Sequence, residues 1–98
     1  MLDIDQKHLD KITGILKVIF GPNIDIYAYG SRVKNTDRPS SDLDLMIKKG
    51  DEKLNIYDIL EAKELLDAAS LPFRVDPHDY NATDSSFISK VEDSFVKL

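Results

Sequence analysis

The apolar residues of this chain change their period along its length, and that change limits the possible folds more than any other feature. In residues 5–20, Leu9, Ile12, Leu16 and Ile19 recur at steps of three and four, which marks one face of an α-helix. Asp5 stands where an N-cap belongs, and Gly21-Pro22 is a stop signal. Residues 24–29, IDIYAY, are aromatic and β-branched and predict a strand. The segment GSRVKNTDRPSS then holds glycine, asparagine, proline and serines, which is loop chemistry. Residues 42–48, DLDLMIK, alternate at the start and predict a second strand, with a turn at Gly50-Asp51. The helical period returns over 54–69 through Ile56, Ile59, Leu60, Leu66 and Ala69, and Pro72 forbids its continuation. Residues 72–76, PFRVD, predict a short third strand with Phe73 and Val75 on one face and Arg74 and Asp76 on the other. PHDYNATD reads as a loop. Thr83 or Asp84 is placed to cap a last helix, in which Phe87, Val91 and Phe95 are spaced by four. This order predicts an α/β fold, a three- or four-stranded mixed sheet packed against helices.

Ninety-eight residues are the size of one small domain, here spanning 1–98. No apolar run approaches the ~20 residues of a membrane span, and no secretory signal precedes the first amphipathic segment. The chain has no cysteine, which excludes disulfide scaffolds, zinc–thiolate sites and cysteine nucleophiles. His8 and His78 are too few for a histidine-rich metal site. Asp and Glu total 18 against 13 Lys and Arg, a net charge of −5. Binding to a nucleic-acid backbone needs a positive field, so free nucleic acid is not expected as a partner. A chain of this charge that handles phosphates needs metal ions to mediate.

Asp42 and Asp44 are two apart on the second predicted strand, so both project from one face, while Leu43 and Leu45 point to the core. Two adjacent carboxylates repel, and burial without a counter-charge is costly. A divalent cation resolves that conflict. Mg²⁺ takes a few carboxylate oxygens and keeps its other positions for water and phosphate. If the third strand lies beside the second, Asp76 joins the same face. Three carboxylates could then hold two ions in the arrangement used for phosphoryl-type transfer. The plain alternative is a capping Asp42, a solvated Asp44 and a turn-forming Asp76. Upstream, Gly30-Ser31 closes a strand and opens a loop. Glycine admits a phosphate close to the backbone, and serine adds a hydroxyl.

Gly30-Ser31, ten further residues and Asp42-Leu43-Asp44 resemble the signature of the DNA polymerase β-type nucleotidyltransferases, and more narrowly the minimal nucleotidyltransferases (MNT) of prokaryotes. Arg32, Arg38, Ser41, Leu43 and Leu45 fit that pattern, and Arg74-Val75-Asp76-Pro77-His78-Asp79 resembles the segment that supplies the third carboxylate. Asn35 stands where the family often has glycine. Asparagine tolerates left-handed backbone geometry better than most residues. The resemblance covers essentially the whole chain.

What the resemblance implies is a polymerase β-like fold and Mg²⁺-dependent transfer of AMP from ATP to a hydroxyl. Asp42, Asp44 and Asp76 would be the catalytic and metal-binding residues, holding two Mg²⁺ ions. Gly30, Ser31, Arg32 and Arg38 would bind the triphosphate. Strand alternation favours Asp76 over Asp79 as third carboxylate. Arg74 is equally suited to an ion pair and to substrate. His78 could hydrogen-bond near the site but reads as an incidental loop histidine, and Tyr27 and Tyr29 read mainly as packing, with nucleobase stacking by Tyr29 the lesser alternative. The minimal members are typically encoded beside a HEPN-type ribonuclease toxin. The resemblance therefore implies a cytoplasmic antitoxin that binds and modifies such a protein, or one that neutralises it by binding alone.

Overall fold

The computed structural model describes residues 4–30 and 42–98. Helix α1 runs Gln6–Phe20 and buries Ile12, Leu16 and Phe20, the four-residue spacing of one stripe. Asp5 occupies the N-cap position through its backbone alone, its carbonyl accepting from His8 N–H at 3.0 Å. Gly21 ends the helix with φ +93° and donates to Lys17 O at 2.9 Å. Strands β1 (Asp25–Tyr29) and β2 (Leu43–Lys48) follow. Asn55 caps α2 (Ile56–Ala68), its side chain accepting from Tyr57 N–H at 2.8 Å. Then come β3 (Val75–Asp79), a single 3₁₀ turn, α3 (Ser85–Val91), a second such turn and β4 (Val96–Lys97).

The four strands form one sheet in the order β3-β2-β1-β4. β1 runs antiparallel to β2 and β4, whereas β2 and β3 are parallel, because α2 carries the chain back between them. Ile26 and Ala28 of β1, Leu43, Leu45 and Ile47 of β2 and Val75 of β3 share one face, and the buried residues of α1 and α2 cover it. On the opposite face Tyr29 and Met46 of the sheet form a second cluster with Ile88, against which Tyr27, Tyr80, Val91 and Phe95 pack. Asp44, Asp76 and His78 lie on that second face and are only half-buried. No helix among the described residues is long and apolar enough to cross a membrane.

Three expectations are corrected. The third strand is 75–79 rather than 72–76. Pro77 is accommodated because β3 is an edge strand, where a missing N–H need not break the ladder. The last helix stops at Val91, and Phe95 leaves it to stack on Tyr27 with ring centroids 5.2 Å apart. The residues beyond form β4, and Leu98 N–H donates to Ile26 O at 2.9 Å. On α2, Ile56 and Leu60 are 66% and 51% exposed. That helix packs chiefly on α1 and β3, and its buried stripe runs through Ala62 and Leu66. Leu60 lies about 120° round the helix from Leu66.

Gly14 sits inside α1 with nothing within 4 Å of an added Cβ. Gly14→Ala is expected to stabilise the chain by about 0.5–1 kcal/mol, read as a rise in Tm.

Candidate active site

The sheet register assembles the site. Asp44 is the cross-strand partner of Tyr29 on β1 and of Asp76 on β3. Side chains directly opposite one another share a face, so the tyrosine and the two carboxylates form a row across three strands. One step along β3 on the same face is His78, beside Met46. Asp44, Asp76 and His78 each offer a ligand atom, and those atoms all lie within 4.8 Å of one another. His78 Nε2 is 3.2 Å from Asp76 Oδ2, and Lys63 Nζ reaches from α2 to within 3.8 Å of Asp76 Oδ1.

Burial, then the neighbouring Asp76 charge, hold the Asp44 carboxyl above the usual aspartate range. The His78 ring opposes that rise and Asp42 adds to it. Tyr29 is pushed up to about 12 by burial and by both carboxylates, so its hydroxyl stays protonated. Its ring packs against Phe87 at 6.0 Å and Phe95 at 5.9 Å, in keeping with the packing role read from sequence. Two carboxylates in mutual repulsion, with an imidazole beside them, form a donor set suited to a divalent cation.

Gly30 follows β1 directly and closes the site behind Asp44. Its φ is +88°, and a Cβ there would lie 2.9 Å from Asp44 Oδ2. Glycine is thus required twice over, by the left-handed backbone and by the carboxylate. Gly30→Ala is expected to cost about 1–2 kcal/mol from backbone conformation alone, measured by denaturant unfolding. It should also displace Asp44 and remove any stabilisation by Mg²⁺-ATP.

Asp42 immediately precedes β2, where it is exposed. It stands outside the Asp44–Asp76–His78 group, although its charge is felt at Asp44. The expected strand therefore begins one residue later than read from sequence, and its first pairing contact is Leu43 N–H donating to Arg74 O at 2.8 Å. Ser31, Arg32, Asn35, Arg38 and Ser41 lie outside the described residues.

Asp76 and Asp79 have separate places. Asp79 points to the helical side and is buried. Its Oδ2 accepts from Leu54 N–H at 2.8 Å and its Oδ1 from Asn81 N–H at 3.1 Å. Removing both charge-assisted bonds in Asp79→Ala should cost about 2–4 kcal/mol, whereas half-exposed Asp76 should tolerate asparagine. Comparing the two variants by thermal melting checks the assignment. Among the described residues, Lys63 and His78 are the basic side chains beside Asp76, and Arg74 is not one of them. His78 was missed from sequence because Pro77 was read as ending the strand. Carrying the alternation past it would have placed His78 beside Asp76. Nothing in the sequence pattern pointed to Lys63.

Residues 10–97 match the sequence profile of the family described as Polymerase beta, Nucleotidyltransferase. The chain belongs to that nucleotidyltransferase family. It is 34% identical over 97 residues to a Haemophilus influenzae protein described as probable protein adenylyltransferase MntA, a match covering 99% of this chain and 83% of that one. The nucleotidyltransferase fold is also shared with solved structures. A toxin–antitoxin crystal structure with AMP-PNP contains a chain that superposes with a TM-score of 0.74 at 24% identity, over 90% of this chain and 69% of the other. A Shewanella oneidensis complex of tri-AMPylated HEPN toxin with MNT antitoxin matches with a TM-score of 0.72 at 21% identity, over 96% and 71%.

Proposed function

We propose that this nucleotidyltransferase is a Mg²⁺-dependent protein adenylyltransferase, working in the cytoplasm as the antitoxin of a HEPN toxin–antitoxin pair. The observation that carries the reading is the Asp44–Asp76 pair, set in register on adjacent strands beside a glycine whose missing side chain leaves room for the Asp44 carboxylate. The similarity to an MntA protein described as a probable protein adenylyltransferase supports the substrate class.

Asp42, Asp44 and Asp76 would hold two Mg²⁺ ions, which neutralise charge on the transferred and leaving phosphates when bound. Gly30, Ser31, Arg32 and Arg38 would hold the β- and γ-phosphates of ATP. The acceptor hydroxyl oxygen forms a bond to the α-phosphorus, the bond from that phosphorus to the bridging α–β oxygen breaks, and pyrophosphate leaves. Asp76, half-exposed at the sheet end, takes the hydroxyl proton and passes it to water. Tyr29, protonated across the physiological range, takes no part as a base and serves to hold the strand ends together.

A second reading is neutralisation by binding alone. It is favoured by Ile56, Tyr57 and Leu60 on α2, which are 66%, 76% and 51% exposed and which catalysis does not require. The test incubates the purified chain with labelled ATP, Mg²⁺ and the helical protein encoded beside it. Label on that protein, with a mass increase of AMP, supports the transferase. An unlabelled partner that is still neutralised favours the binding module.

A further inference from the structure

We infer that His78 is a nitrogen ligand of the cation held by Asp44 and Asp76, so that this site, while it accepts magnesium, binds manganese more tightly. The inference rests on the proposed cation role of those two carboxylates and adds to it a donor that the sequence reading set aside.

Geometry comes first. Two donors on one small ion at about 2.1 Å are at most about 4.2 Å apart. The ligand atoms of Asp44, Asp76 and His78 already lie within 4.8 Å of one another. Adjacent donors on such an ion are nearer, at about 3.0 Å, so closing asks for shifts on the order of 1 Å, within the reach of side-chain torsional adjustment.

The imidazole is also held where it is needed. Asp76 and His78 flank Pro77, whose side chain is fully buried against β2. Proline fixes its own φ and confines the residue before it to extended backbone, so the spacing of the two donors is set by the chain itself. On its other side the His78 ring lies against Tyr29, with centroids 6.4 Å apart and planes at 55°. Lys63 lies nearest to Asp76 Oδ1, while His78 Nε2 sits at Oδ2. The His78 and Asp76 side chains are 40% and 39% exposed, so solvent reaches both donors.

Ligand chemistry then sets the metal. Carboxylate oxygens alone suit Mg²⁺, whereas an imidazole nitrogen shifts a site toward first-row transition metals.

The experiment uses the full chain with saturating Mn²⁺ and no nucleotide, comparing protein at natural abundance with protein carrying ¹⁵N-histidine. Electron spin-echo modulation is expected to show a directly coordinated imidazole nitrogen whose signal changes with the isotope. His78→Gln should abolish that signal. By calorimetry it should weaken Mn²⁺ binding by about tenfold or more, and Mg²⁺ binding by no more than about threefold. Mn²⁺ binding that depends on Asp44 but shows no nitrogen coupling in the wild-type chain would overturn the role of His78 and leave the cation site standing. No Asp44-dependent binding of either metal would overturn the site and the inference together.

Discussion

Replacement of both Asp42 and Asp44 by alanine is expected to cut AMP transfer by roughly 10³-fold or more, about 4 kcal/mol of transition-state stabilisation. Negative charge develops on the oxygens of the transferred and leaving phosphates as the acceptor oxygen approaches and pyrophosphate departs. On the proposed reading, cations held by Asp44 and Asp76 would supply the counter-charge, and Asp44 stands at the centre of the row between Tyr29 and Asp76. Loss of Asp44 therefore removes the group that both neighbours face. Asp42 lies at the exposed entrance, so its share is expected to be smaller, and the single alanine variants should rank in that order. Mass spectrometry of the co-expressed partner gives the measurement. The exposed apolar residues of α2 are untouched by these substitutions, and co-purification of the partner should persist. Transfer that survived the double substitution at more than about a tenth of the wild-type rate would remove these carboxylates from the chemistry.

Mg²⁺-ATP is expected to raise the melting temperature by roughly 10–20 °C when supplied at about 100 times its dissociation constant, since that excess adds ~2.7 kcal/mol to a domain of this size. Asp44→Asn should abolish the rise. Without ligand the same variant should melt a few degrees higher than wild type, because it deletes one of two repelling carboxylates; partial exposure keeps this gain small. Asp44 has its folded-state pKa raised above the ordinary value of 3.8 by burial and Asp76. The native state therefore binds more protons than the unfolded state just above that value, and stability falls as pH rises. The contribution of Asp44 is complete below pH 3.8 and is lost as pH climbs through the raised folded value. The stability difference between cation-free wild type and Asp44→Asn should therefore fall as pH rises through the acid range. A difference that rose across the same interval would contradict the pair's repulsion.

The period of the apolar residues was enough to place α1, β1, β2 and α2 within a residue or two of their observed bounds, since each presents an apolar stripe to a single core. It was not enough for elements whose ends are decided by distant contacts. Phe95 continues a four-residue spacing from Phe87 and Val91, yet stacking on Tyr27 and pairing with β1 are available only once the sheet exists. Pro77 is a strand breaker by local rule, and only its position on an edge strand shows why β3 runs through it. The same limit governed the site. Asp44 and Asp76 could be placed on one face by alternation, given that their strands were neighbours. The histidine beyond the proline was set aside because the strand was read as ending there, although the same alternation carried two residues further reaches it. Asp79 looked like a possible third carboxylate because its two backbone donors, Leu54 and Asn81, come from segments with no pattern linking them to it.

The outer strands of the sheet also limit how another protein can engage it. β3 carries a proline at its midpoint, and β4 contributes only two residues beside β1. An added strand needs an uninterrupted row of backbone donors and acceptors, and neither border offers one. Self-association into extended sheets is discouraged for the same reason. A partner that selects this molecule must therefore read side-chain shape and charge on its helices or at its open end rather than zip onto its backbone, which leaves recognition free to vary by surface substitution while the sheet that carries the carboxylates stays as it is.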